Sequence, residues 1–278
     1  MYHEALQSIS EAAVGKAGFL RRQPLAYVVA AMLAGIYVGV GVFLALAVGA
    51  PLAAAGSPWL KTLMGAVFGI ALSLVIFAGG ELFTGTNMTL PIGWWRRRVS
   101  GRAVAAIWGA SWLGNFAGAV LLVVLLHYSG VLNGEAERTL VQTLAVKKMH
   151  LPAVALLTRG ILCNFLVCLG VWCAFRMKSE AGKLIMICWC LFAFVATGFE
   201  HSVANMTLLS LAMMQTPLPE FAGTLNIAGM AHNLVWVTLG NIIGGMVLVG
   251  GAYWLASGRE EIAAEETPEA KPMAGMRS

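Results

Sequence analysis

Glu81, Glu200 and His201 lie inside long apolar stretches of this chain, and Lys148 and Arg159 stand at the start of another. An ionised side chain at mid-bilayer depth costs about 2.5–3.5 kcal/mol on insertion scales, so each needs a partner or a task. Glu81 and Glu200 are the only acids in those stretches, and the chain contains no aspartate. Either carboxylate can hold an irregular loop by accepting backbone N–H groups; Glu200, which adjoins His201, is equally suited to a role in transfer. A histidine exchanges protons near neutral pH, so His201 is expected to pass or accept one, the alternative being a neutral ring bonded to a backbone carbonyl. Lys148 and Arg159 can anchor at the interface by snorkelling, or concentrate anions at a pore mouth. Haem ligation would need a second histidine at matching depth on a facing helix, which the spacing does not provide. No cofactor and no metal are expected. The cysteines, Cys163, Cys168, Cys173, Cys188 and Cys190, form no CxxC pair and read as small apolar packing residues.

These residues need a membrane domain to position them. Of the 278 residues, 59% are apolar and only 11% charged, which leaves too little polar surface for a soluble globule. Apolar runs cover about 26–49, 60–91, 103–126, 153–175, 184–214 and 230–256, giving six helical spans. Residues 1–23 lack the apolar core of a signal peptide; Leu6, Ile9, Ala13, Val14, Ala17 and Leu20 recur at helical spacing, as in an amphipathic helix on the membrane surface. Residues 24–257 form the six-span domain, and 258–278, rich in Glu, Ala and Pro, are expected to be a disordered tail. Thirteen Lys and Arg fall on the side holding both termini and four on the other, so the positive-inside rule places both termini in the cytoplasm. The positive balance is topological and does not point to nucleic acid; the partners expected are membrane lipid and further copies of the chain.

The second and fifth runs are too long for a straight span, roughly 46–48 Å against a ~30 Å core. Each carries a polar, glycine-bearing patch, 79–87 and 197–205, where the helix is expected to break. The patches repeat. Asn87-Met88-Thr89-Leu90 returns as Asn205-Met206-Thr207-Leu208, and Gly114-Asn115 with Gly118 returns as Gly240-Asn241 with Gly244. Gly80 pairs with Gly198, with Glu81 and Glu200 one residue out of step, and Gly35-Ile36 pairs faintly with Gly160-Ile161. Three spans per unit, about 24–130 and 150–257, put the two copies in opposite orientations, the inverted-repeat architecture of channels and transporters. Broken helices are tolerated there only where protein or a water-filled path satisfies the freed backbone.

Residues 80–85, Gly-Glu-Leu-Phe-Thr-Gly, and 198–206, Gly-Phe-Glu-His-Ser-Val-Ala-Asn-Met, resemble the two loop motifs of the formate/nitrite transporter family, and residues 162–168 resemble its fourth span. Within the family the chain is most similar to the nitrite channel branch. The resemblance implies an all-α, aquaporin-like protomer with spans 2 and 5 broken, a homopentamer in the bacterial inner membrane, and one pore per protomer for small monovalent anions. It implies a central His201 between two apolar constrictions near Phe68, Leu72, Ile76, Leu82, Phe83, Val167 and Phe194. Thr84, Asn164, Asn205 and Glu200 would flank the histidine, the family lysine would be Lys148 or its neighbour Lys147, and Gly80, Glu81, Gly85 and Gly198 would shape the loops. Nitrite is the expected substrate, crossing with a proton supplied through the histidine and with no enzymatic chemistry. Formate or hydrosulfide conduction, and less readily a membrane redox protein, are the alternatives.

Overall fold

The computed structural model describes residues 2–258, so the expected disordered tail lies outside the described residues except for Gly258. Among the described residues, ten helices make up the fold beside one 3₁₀ turn at Pro219–Phe221: α1 (His3–Arg22), α2 (Pro24–Ala54), α3 (Leu60–Gly79), α4 (Phe83–Trp95), α5 (Gly101–Ser129), α6 (Glu135–Met149), α7 (Ala153–Arg176), α8 (Glu180–Thr197), α9 (Ser202–Met214) and α10 (Ile227–Ala256). Six of them, α2, α3, α5, α7, α8 and α10, are long and apolar enough to cross a membrane. Short polar residues start several of them: Ser100 caps α5, Ser179 caps α8 and Asn226 caps α10.

The long second and fifth runs both stop midway. α3 ends at Gly79 (φ +88°) and α8 is capped by Gly198 (φ +77°), a left-handed conformation that a side chain resists. After an extended stretch the chain resumes as the half-helices α4 and α9. Packing is crossed between the halves. Spans α2 and α5 lie together, as do α7 and α10; α4 from the first half packs on α7 and α10, while α9 from the second packs on α2 and α5.

Contacts set the register of the repeat. Gly118 meets the Met32 carbonyl and Gly244 the Ile161 carbonyl so closely that a Cβ at either position would collide with backbone. Gly114 faces Val28 and Ala31 where Gly240 faces Leu157 and Gly160. These pairs equate Ala31 with Gly160 and Met32 with Ile161. The faint sequence match of Gly35 with Gly160 is therefore one helical turn out of place, because a lone Gly-Ile identity carries no packing information.

Two elements differ from the sequence expectation. Residues 135–149, between the third and fourth apolar runs and given no element from the sequence, form α6, an amphipathic helix with Leu140, Val141, Ala145 and Met149 buried. The apolar stripe of α1, expected to face lipid, buries Ala5, Leu6, Ile9 and Ala13 against protein. Helix α1 sits on α2, α4, α5 and α7, and α6 on α2, α9 and α10. Each thus covers the half-helix of its own repeat and the first span of the other.

Candidate functional site

The two breaks are held by the same device. At the first, the Glu81 N–H donates to the Ala30 carbonyl (3.1 Å); Asn115 Nδ2 donates to the carbonyls of Ala31 (2.8 Å) and Glu81 (2.9 Å), and its Oδ1 accepts from the Phe83 N–H (2.9 Å). At the second, the Glu200 N–H donates to the Arg159 carbonyl (3.3 Å); Asn241 Nδ2 donates to the carbonyls of Gly160 (2.9 Å) and Glu200 (3.0 Å), and its Oδ1 accepts from the Ser202 N–H (2.9 Å). One asparagine per half thus satisfies backbone groups that no bilayer could. The sequence marks both residues as repeats but does not reveal this task, since their partners lie more than 30 residues away along the chain.

Each break carboxylate also receives a lysine from the covering helix of its half. Lys16 of α1 donates to Glu81 Oε2 at 2.6 Å, and Lys148 of α6 donates to Glu200 Oε2 at 2.7 Å. Tyr27 Oη adds a bond to Glu81 (3.3 Å), and Asn205 Nδ2 one to Glu200 (2.7 Å). The position of Lys16 opposite Glu81 was not apparent in the sequence, although both amphipathic stripes carry a lysine near their C-terminal end.

The same register exposes three positions where the halves differ. Leu82 stands at the N-terminus of α4 where His201 caps α9, Ala30 stands where Arg159 does, and Gly35 stands where Asn164 does. All three polar members belong to the second half.

His201 is 4% exposed. Its Nδ1 accepts the Ala204 N–H at 3.1 Å, and its Nε2 lies 2.9 Å from Thr84 Oγ1. A backbone N–H can only donate, so Nδ1 carries a lone pair and the ring hydrogen is on Nε2, directed at Thr84. Phe194 stacks on the imidazole (5.9 Å, 19°) and meets Phe68 edge to face (5.5 Å, 80°).

Three voids are bordered by these residues and share lining side chains in series. A vestibule of about 320 Å³ is bordered by Lys148, Arg159, Glu200, Asn205, His201, Phe68 and Phe194. A second, of about 590 Å³, is bordered by Lys16, Glu81, Gly80, Gly85, Leu72, Ile76 and Leu82. Between them a cavity of about 10 Å³, about the room one water needs, touches Phe68, Phe194 and His201 on one side and Leu72 and Leu82 on the other, with Val167 in its wall. Two sets of apolar side chains, Phe68/Phe194 and Leu72/Leu82, therefore separate the vestibules, with the imidazole beside the gap. Gly198 lines the first vestibule. Phe83, Thr84 and Asn164 border none of these voids. Phe83 is buried in the core, and Asn164 Nδ2 is spent on Thr84 O (3.1 Å), Asn87 Oδ1 (3.1 Å) and Asn241 O (2.6 Å). Asn164 thus ties α7 to both half-repeats, and Thr84 meets the path through His201.

A membrane helix bundle with two broken spans, crossed half-helices and a vestibule at either end of a small buried cavity has the architecture of a membrane channel or transporter. A family profile described as "Formate/nitrite transporter" matches residues 3–255, and the chain belongs to that family. It is 40% identical to the nitrite transporter NirC of Salmonella typhimurium over 94% of each chain, and 40% identical to NirC of Escherichia coli over 92% of this chain and 93% of that one. The formate channel FocA of Haemophilus influenzae is 33% identical over 71% of this chain and 75% of its own. Among solved structures, an "FNT family ion channel" superposes with a TM-score of 0.85 at 39% identity, covering 91% of this chain and 99% of that one. A "pentameric formate channel with formate bound" superposes at 0.73 and 29% identity, covering 84% and 96%.

Proposed function

We propose that this protein is a homopentameric, inner-membrane channel for nitrite, with one pathway per protomer running between the two vestibules past His201. The observation that carries the reading is the pinched passage itself: a single titratable donor between Phe68/Phe194 and Leu72/Leu82. The NirC relatives support nitrite over formate, and the pentameric neighbour supports the assembly. By the positive-inside rule the vestibule of Lys148 faces outward and that of Lys16 the cytoplasm.

A bare anion loses its hydration in the apolar pinches with nothing to replace it, whereas the neutral acid crosses cheaply. Passage is therefore proton-linked. The sequence suggested His201 as the proton carrier. The geometry favours a different share for it, because doubly protonating the ring would take the Ala204 N–H away from its acceptor. In our reading the ring keeps its bond to Ala204, the Nε2–H is shared between Thr84 and the permeating species, and the proton enters with the anion from the vestibule. The test is flux into liposomes at several pH values with nitrite, formate and hydrosulfide compared, alongside internal pH. Nitrite flux should rise toward acid pH and carry protons; flux that is largest for hydrosulfide, or without proton movement, would sink this reading.

A further inference from the structure

The two vestibules are not electrically equivalent. The one holding Lys16 is bordered by two cations and two carboxylates, and these are paired: Lys16 with Glu81 at 2.6 Å and Lys183 with Glu180 at 2.9 Å. The one holding Lys148 is bordered by Lys61, Lys147, Lys148 and Arg159 against Glu200 alone, and Glu200 is engaged by Lys148. Among the described residues the Arg159 guanidinium forms no ion pair and no hydrogen bond, although the Arg159 backbone is fastened to the break: its carbonyl accepts the Glu200 N–H, one residue before His201. The inverted repeat places Ala30 at the matching site of the other vestibule, bonded to Glu81 in the same way. A guanidinium has thus been added on one side only, at a mouth that His201 borders.

We propose that Arg159 is a one-sided capture site for planar oxyanions. It takes nitrite, or a carboxylate as small as formate, from the Lys148 vestibule by a two-bond fork and presents it to the Phe68–Phe194 pinch. The inference rests on the nitrite-channel reading. Arginine suits the task because its five N–H groups form a rigid fork that fits two oxygens carried on one atom, and it is weakly hydrated for a cation. Lysine supplies the same charge without the fork. The three lysines around the vestibule attract any anion, so what Arg159 adds is discrimination by shape. Hydrosulfide, with a single acceptor atom, gains nothing from the fork.

The test compares wild type with Arg159→Lys and Arg159→Gln as intact oligomers at fixed ionic strength. One readout is line broadening of ¹⁵N-nitrite by the detergent-solubilised protein; the other is the half-saturating concentration for nitrite and for hydrosulfide influx into vesicles. Arg159→Lys should weaken nitrite binding and raise its half-saturation about tenfold, the effect of losing one charge-assisted hydrogen bond, while hydrosulfide stays at the wild-type value. Arg159→Gln, which loses the charge as well as the fork, should weaken nitrite at least as much and always more than hydrosulfide, and it keeps the test open should the lysine variant fail to assemble. Equal nitrite values in wild type and Arg159→Lys would overturn the proposal, as an arginine that merely snorkels or steers charge is replaced by lysine without loss. A parallel shift for nitrite and hydrosulfide would overturn it too, as would wild-type protein that leaves the nitrite line sharp. Arg159-dependent broadening in a protein that carries no nitrite would keep the capture site and remove the channel reading.

Discussion

At the scale of single residues, His201 does two jobs with two nitrogens. Nδ1 caps α9 and Nε2 faces Thr84 at the edge of the pinch. Asparagine caps helices as well as any residue, so His201→Asn should retain the cap through Oδ1 and keep stability within about 1 kcal/mol of wild type. Its oligomer should be unchanged, and its flux should keep the rise toward acid pH while losing rate, since the donor toward the path is shortened. Measuring flux at several pH values with oligomer size on one preparation decides between the roles; a flat pH profile in the Asn variant would restore the histidine as proton carrier. The two phenylalanines expected at constrictions also separate. Phe194 borders both the Lys148 vestibule and the small cavity, and Phe83 borders neither. Truncating either to Ala should cost about 3–5 kcal/mol of stability. Phe194→Ala should lower nitrite-over-chloride selectivity roughly tenfold, a barrier change near 1.4 kcal/mol, and Phe83→Ala should leave it unaltered. Competition recordings with chloride check the contrast.

At the scale of elements, α1 and α6 brace the two breaks through one lysine each, but not with equal leverage. The Glu200 side chain is 3% exposed, that of Glu81 14%. Lys148→Met strands a buried carboxylate and should destabilise the protein by about 3–5 kcal/mol, an effect that adding Glu200→Gln should largely reverse. Each carboxylate keeps one side-chain donor, Tyr27 or Asn205, so exposure decides, and Lys16→Met should cost clearly less because water reaches Glu81. Thermal unfolding in detergent across both pairs of single and double variants tests this; equal losses at the two ends would show that exposure does not set the value of these pairs. Helix α6 escaped the sequence reading because its mean polarity resembles a loop. Its stripe of Leu140, Val141, Leu144, Ala145 and Met149, with Glu135 and Glu137 in its first turn and Lys147 and Lys148 in its last, was nonetheless present.

At the scale of the whole molecule, crossed packing of the half-helices locks the two repeats together, while large apolar side chains such as Leu113, Leu125 and Trp189 remain more than half exposed on the protomer. That surface must meet lipid or further copies of the chain. Native mass spectrometry from mild detergent should show five protomers, and a monomer or dimer as the sole species would contradict the assembly proposed above.

What the sequence determined by itself follows from solvation. Six long apolar runs can only be membrane helices, two of them exceed the bilayer and must break, and an odd-numbered repeat must invert. His201, Glu81 and Glu200 stood out for the same reason, since an ionisable group among apolar neighbours is costly at any depth. Register, partners and exposure are set by contacts between residues far apart in the chain, and only the tertiary structure decided them. It equated Ala31 with Gly160 through Asn115 and Asn241, a pairing that residue identity hides because the two side chains differ while their carbonyls do the same work. It buried Asn164 and Phe83 in the packing between helices, outside the three voids, and set Arg159 on the Lys148 vestibule with Ala30 as its counterpart. Composition cannot tell such roles apart, because a buried amide and a pore-lining amide are the same residue until the third dimension supplies their neighbours.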